Sequence, residues 1–279
     1  MDGIVDASAI LNVPEVARTW PERARGIWEK FDGSGFREGI PLERIVDDMD
    51  EAGVATMIFT ATTEAVGRFH RHCPLSLGRR AIERYPGRFA MRLAVDPREG
   101  SGEVRMFLSA VGDGGVVGLA LFPYAVNLAP NVNVYYPFYE RCQELDLPVW
   151  TQVGHTGAGW PSEPGRPIHL DEVALYFPEL RIVGGHIGWP WTEEMLALSW
   201  KYPNVYLDVS AHSPRHWPAE LLRFLAGAGR EKVLFATNYP MLDYRRTFRD
   251  LAKLGLTDAT RQALLGASAR RVYAGAFPG

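Results

Sequence analysis

Short runs of β-branched and aromatic residues recur along the chain, each followed by a stretch whose apolar positions repeat with helical spacing. The runs are 4–8 (IVDAS), 54–60 (VATMIFT), 89–95 (FAMRLAV), 116–122 (VVGLALF), 147–153 (LPVWTQV), 180–185 (LRIVGG), 205–210 (VYLDVS) and 232–237 (KVLFAT). Between them, Leu42, Ile45, Val46 and Met49 fall on one helical face, and so do Val104, Phe107, Leu108 and Val111. Leu221, Leu222, Phe224 and Leu225 do the same with looser spacing. Eight strand–helix units, spaced by about 25 to 50 residues, predict an α/β fold of the (β/α)8 TIM-barrel type. A doubly wound open sheet is the alternative, but it carries a Gly-rich phosphate turn that is missing here. The GDGG stretch at 112–115 precedes a strand and reads as a simple turn.

The pattern also marks the connections. Residues 10–41 form the longest one, with Trp20, Trp28 and Phe31, and are expected to lie over the barrel mouth as a lid; a plain surface loop is the alternative. Thr257 and Asp258 read as a helix N-cap and Gly266 as a helix stop. Repeats, linkers and low-complexity tracts are not visible, so residues 1–279 are expected to form one domain.

Composition narrows the function. At 47% hydrophobic, the 279 residues suffice for a full core. A net charge of -3, spread evenly, gives no reason to expect nucleic acid or an anionic membrane as partner. Cys73 and Cys142 make no disulfide framework, and no secretory signal or membrane-spanning run is visible, so a cytoplasmic setting is expected. Eight tryptophans and eleven tyrosines suit an aromatic-lined pocket for a small-molecule substrate.

In a parallel barrel, chemistry sits at the C-terminal strand ends. Those ends carry Asp6 and Ser8, then Tyr124, His155, His186, Asp208 with Ser210, and Asn238 with Tyr239. His155 and His186 follow consecutive strands, each beside glycine, in VGHTG and GGHIG. His212, His216 and Trp217 lie near the seventh strand end, and Trp189 and Trp191 flank the sixth. His70 and His72 have the spacing of an extended metal pair, but read more simply as an exposed basic segment.

Five segments, GHTG, FPELRIVGGHIGW, KYPNVYLDVSA, EKVLFATNYP and LLGASARRVYA, give the chain a resemblance to a known family. It resembles the amidohydrolase-related family that includes aminocarboxymuconate-semialdehyde decarboxylase; IVDAS and RYPGRF extend the likeness more weakly. The resemblance implies a TIM barrel, hydrolysis or decarboxylation of a small carbonyl compound, and a homodimer. It also implies an opening Asp-x-His-x-His whose histidines bind a divalent metal, and an aspartate at the end of the eighth strand. Here Asp6 is compatible, but Ser8, Ile10 and Asn238 occupy the ligand positions, while His155 and His186 match the family's histidines. One histidine of that set does not hold zinc, so neither metal nor another cofactor is expected.

The resulting expectation is metal-free acid–base chemistry on an activated substrate: hydrolysis, decarboxylation, dehydration or cyclisation. His186 would be the general acid/base and His155 would orient substrate, with its tautomer fixed by Asp6. Asn238 and Ser8 would donate to an oxyanion. Tyr124, Trp189, Asp208, Ser210, His212 and Tyr239 would contact substrate. Two alternatives remain open: a non-catalytic binding or partner subunit, and a metalloenzyme with relocated ligands such as Asp6, His155, His186 and Asp208.

Overall fold

The computed structural model describes residues 3–20, 34–67, 73–157 and 159–277. Eight parallel strands form the barrel: β1 (Ile4–Ala9), β2 (Val54–Thr62), β3 (Phe89–Ala94), β4 (Val116–Leu121), β5 (Val149–Gln152), β6 (Ile182–Gly185), β7 (Val205–Asp208) and β8 (Val233–Leu234); a two-residue strand, Cys73–Pro74, also pairs with β2 outside this order. Each barrel strand pairs with the next in sequence. The ring is joined between β1 and the β8 segment by Ala7 N–H donating to Phe235 O at 2.9 Å and Asn238 N–H donating to Ser8 O at 2.8 Å. This is a TIM barrel; the open-sheet alternative is ruled out by sequential order and by that seam.

Alternation along the strands sorts the apolar residues into two layers. Met57, Phe59, Phe89, Met91, Leu119, Ile182 and Leu207 pack outward in the larger core. Val5, Ala7, Ile58, Ala90, Trp150, Val183, Tyr206 and Leu234 fill the barrel interior in the smaller one. Each fully buried Phe or Leu contributes roughly 1.5–3 kcal/mol relative to exposure, so both layers drive closure. Helices cover the outside: α1 (Leu42–Ala52), α2 (Leu75–Arg84), α3 (Ser101–Gly112), α4 (Tyr136–Glu144), α5 (Leu170–Tyr176), α6 (Thr192–Lys201), α7 (Ala219–Ala226) and α8 (Tyr244–Ala252). Ile45, Val46 and Met49 are the buried side of α1, as their spacing predicts. Among the described residues no helix is long and apolar enough to cross a membrane.

Two local readings have different outcomes. Thr257 does cap a helix, accepting from Thr260 N–H at 3.3 Å. Gly266 does not stop one: it lies inside a π-helical turn, Ala263–Ala267, that runs on into Ser268–Val272. A Cβ there would meet the Arg270 guanidinium at 2.3 Å and Gly3 O at 3.4 Å, so close packing rather than termination explains the glycine.

In the first connection, both flanks of the longest segment are tied through buried Asn12. Its Oδ1 accepts from Trp20 Nε1 at 2.9 Å, its Nδ2 donates to Phe36 O at 3.2 Å, and its carbonyl accepts from Ile40 N–H at 2.8 Å. The middle of the segment expected to be a lid, with Trp28 and Phe31, lies outside the described residues, as do His70 and His72.

Candidate active site

Three consecutive strands end in non-glycine residues with left-handed backbone: His186 (φ 66) and Ile187 (φ 53) after β6, Ala211 (φ 61) after β7 and Asn238 (φ 58) after β8. Such conformations are costly for L-residues and persist where surrounding contacts fix them. Here they turn the chain so that side chains from β6 and β7 meet. Asp208 accepts from four donors: Trp150 Nε1 at 2.6 Å, Ser210 N–H at 2.9 Å, His186 N–H at 3.2 Å, and the Ser210 hydroxyl. The same Ser210 Oγ lies 2.7 Å from His186 Nδ1.

The direction of this chain follows from its end. A carboxylate accepts only, so Ser210 spends its proton on Asp208 and accepts from Nδ1–H. That fixes the tautomer and leaves the Nε2 lone pair of His186 unused by these bonds. Burial pushes the His186 pKa below the ordinary imidazole range; Asp208 opposes this, and Arg92 and His155 add to it. This shift favours the neutral imidazole, the form required of a general base. His212 sits beside it, hydrogen-bonded to the His186 backbone, its pKa lowered to about 4 by burial and then by the charges of His186 and His155. The edge of the Trp150 ring packs against His186 at 5.7 Å. Gly185 makes this possible, because a Cβ there would meet the indole at 2.3 Å.

The seam between β1 and β8 is different. A register shift between Asp6 and Ala9 breaks the alternation of β1. Asp6 lies before that shift, between the inward Val5 and Ala7, and points outward toward α8, not into the barrel. It accepts from Thr237 Oγ1 at 2.5 Å, Tyr244 Oη at 3.0 Å, Thr237 N–H at 3.1 Å and Ser8 N–H at 3.2 Å. Burial raises its pKa to about 6 despite these bonds. Asp6 does not reach His155, whose Nδ1 instead lies 3.0 Å from Thr156 O; the expected tautomer-fixing role is corrected to a structural anchor.

Ser8 does face inward, and there it meets a cation. Arg92 on β3 is 1% exposed and donates from Nη2 to Ser8 Oγ at 2.9 Å and from Nη1 to Tyr273 Oη at 3.2 Å. Its guanidinium lies over the Trp150 ring at 4.4 Å. Ile10 packs with Phe36, and among the described residues Asn238 Nδ2 donates only to Met241 Sδ, at 3.6 Å. A divalent ion needs three or more free donor groups. Here Ser8 Oγ is held by a positive charge, both oxygens of Asp6 and of Asp208 already accept hydrogen bonds, and Ile10 offers no donor. Among the described residues no group of three His, Cys, Asp or Glu side chains is placed to share an ion. The donor set does not fit the family's metal, either at the inherited positions or at the relocated set of Asp6, His155, His186 and Asp208.

The other predicted positions divide. His155 is exposed and its ring packs edge-on against Trp189 at 4.7 Å, so this pair lines the open side. Gln152 Nε2 holds the His155 carbonyl at 3.1 Å. Tyr124 is buried among the rings of Phe122 and Trp160. Tyr239 is a correction: its hydroxyl donates to Asp48 on α1 at 2.6 Å and its ring stacks on Tyr244, away from substrate. Asp208 and Ser210 are buried, and their side-chain oxygens meet Trp150, His186 and each other. Sequence reasoning missed Arg92 and Trp150. The signal for Arg92 was a lone charge inside the apolar run FAMRLAV, since a strand buried on both faces takes any charge it carries out of water.

A family profile described as Amidohydrolase matches residues 18–275. Among solved structures, an uncharacterised TIM-barrel protein, Bb4693 from Bordetella bronchiseptica, superposes with a TM-score of 0.80 at 21% identity, covering 99% of both chains. A 2,6-dihydroxybenzoate decarboxylase from Rhizobium gives 0.70 at 17% identity, over 98% of this chain and 99% of that one. A probable 2-pyrone-4,6-dicarboxylic acid hydrolase from Acinetobacter baumannii gives 0.66 at 14%, also over 98% and 99%. These likenesses show the fold; no curated protein matches the sequence. The profile spans β2 to β8, both histidine strands included, and on that ground the chain belongs to the amidohydrolase family of enzymes.

Proposed function

We propose that this chain is a metal-independent acid–base enzyme that hydrolyses a small, activated cyclic ester or lactone bearing a carboxylate. The observation that carries the reading is the ordered chain from Asp208 through Ser210 to His186, which leaves one basic nitrogen over. In hydrolysis, Nε2 takes a proton from water as the water oxygen bonds to the carbonyl carbon. The imidazolium then returns that proton to the leaving oxygen as the ester bond breaks. Ser8 and Asn238 are suited to donate to the developing oxyanion, and His155 with Trp189 to hold the substrate ring. Lacking a Lewis acid, the site demands a substrate already activated.

The solved relatives named for 2,6-dihydroxybenzoate and for a pyrone dicarboxylic acid support a small cyclic acid as the substrate class. Decarboxylation is the second reading, favoured by the decarboxylase relatives; the shift of His186 toward its neutral form favours hydrolysis. The relay argues against a non-catalytic partner subunit, since a silent barrel has no use for a poised base. With this reading go a single domain over residues 1–279, a lid from residues 10–41, a homodimer and a reduced cytoplasmic setting, the last supported by two buried free thiols. The test is turnover of carboxylated lactones after exhaustive chelation. Full activity without metal, abolished in His186→Gln, is expected; activity restored only by zinc or manganese would overturn the proposal.

A further inference from the structure

Arg92 stands apart from the other arginines whose Nε lacks a partner. Arg79 and Arg181 are likewise unpartnered at Nε but pair with Asp113 and Asp146 at the surface. Arg92 is buried, and the groups that meet it are a serine hydroxyl, a tyrosine hydroxyl and the face of an indole, all neutral. Among the described residues it forms no ion pair; Asp208, whose charge would serve, is held at the edge of the Trp150 ring by the indole N–H, while the guanidinium lies over the ring face. Arginine does not shed its proton in a protein, so the interior retains a positive charge that the fold itself leaves unmatched.

The contact with Ser8 has a second consequence. Because Ser8 Oγ accepts from the guanidinium, its own proton is free, and no other acceptor takes it among the described residues. Ser8 is thus an obligate donor, polarised by the cation behind it. It sits at the β1 end, where the family's first metal-ligand histidine would stand.

We propose that Arg92 is the barrel's resident cation in place of the metal and that, through the Ser8 hydroxyl, it selects ligands carrying a carboxylate. This rests on the proposed function only for the location of the bowl; it adds that the anionic group of the substrate docks at the β1 side while the reacting carbonyl faces His186. Arg92 is a positioning residue and Ser8 is the group that touches the ligand. Electrostatics of this kind discriminates charged from neutral ligands more strongly than it discriminates shape.

The probes are benzoate and its neutral isostere benzamide, titrated into the whole protein by calorimetry. The wild-type chain is expected to bind benzoate at least about tenfold more tightly than benzamide, as a charge-assisted hydrogen bond would give. Arg92→Met should bring the ratio to about one, and Arg92→Lys should recover part of it, which a purely packing role for the side chain would not. If Arg92→Met does not fold, Ser8→Ala carries the same test: it keeps the charge, removes the donor, and should lose most of the preference. His186→Gln should abolish turnover yet keep the preference, so failure of the catalytic reading and failure of this one are separable. Equal or absent binding of benzoate by the wild-type chain, or a preference unmoved in a folded Arg92→Met or Ser8→Ala protein, overturns the proposal.

Discussion

At the ends of β6 and β7, polar groups are joined head to tail and one ring nitrogen is left over. At the ends of β1 and β8, they are tied off: Asp6 to Thr237 and Tyr244, Ser8 to Arg92, Ile10 to Phe36. The two halves of one mouth thus follow opposite rules. A metal centre needs converging lone pairs that nothing else occupies, whereas a proton relay needs each lone pair occupied in a fixed order. The β1–β8 half cannot meet the first requirement, and the β6–β7 half meets the second.

The comparison breaks most visibly if the metal half can be rebuilt. Ser8→His, Ile10→His and Asn238→Asp together restore the ligand types, but they leave the Arg92 guanidinium beside position 8. The triple variant is therefore expected to retain no zinc, and the quadruple variant with Arg92→Met about one equivalent, measured by elemental analysis after dialysis. Zinc held by the triple variant would show that the cation does not block the site.

The relay half is tested by His186→Gln, which keeps a polar side chain of similar reach but no basic nitrogen. A loss of roughly 10²–10⁴ in kcat is expected, the range for a general base. An unchanged thermal midpoint would show that the loss is chemical.

Stability against pH sharpens the contrast, because the two halves titrate in opposite senses. Asp6 has its folded pKa raised from 3.8 to about 6, so its contribution is present below pH 3.8 and is lost as pH rises through 6. His212, facing His186, His155 and Asp208, is lowered from 6.5 to about 4, so its contribution is present above pH 6.5 and is lost as pH falls through 4. Between pH 4 and 6 the two oppose each other in the wild-type chain. Asp6→Asn should leave the histidine effect exposed, with stability rising from pH 4 to 6.5; His212→Asn should leave stability falling toward pH 6. Each effect is on the order of 3 kcal/mol, read from denaturant midpoints across pH. Parallel curves for the two variants would refute the assignment.

Much of the fold was legible because strand and helix periodicities are local. All eight runs became strands within a few residues of their read positions. What was illegible depended on partners distant in sequence or on irregular register. The inward turn of Ser8 beside the outward turn of Asp6 comes from a bulge that no residue type announces. The roles of Asp208 and Ser210 depend on a partner 24 residues away from Ser210, so they read only as polar strand-end residues. Arg92 looked like part of an apolar run, and its meaning appears only when Ser8, 84 residues away, is placed against it.

The smallest effect separates a relay from a nucleophile. Ser210 lies between a carboxylate and an imidazole, so its residue types invite comparison with a Ser-His-Asp triad. The order here is different: the hydroxyl is in the middle, fully buried, with its proton on Asp208. Were Ser210 the nucleophile, its removal would cost on the order of 10⁶ in kcat, as in serine hydrolases. As a relay it only orients Nδ1 and transmits the Asp208 charge, and a water can occupy the space an alanine leaves. Ser210→Ala is therefore expected to lower kcat about tenfold, within the range of a lost hydrogen bond. It should also shift the pH profile, because the imidazole loses its link to Asp208 and its pKa falls further. A collapse of turnover by many orders of magnitude, or trapping of a covalent adduct on Ser210, would reverse the order of the chain and make the two halves of the mouth alike in needing a free lone pair.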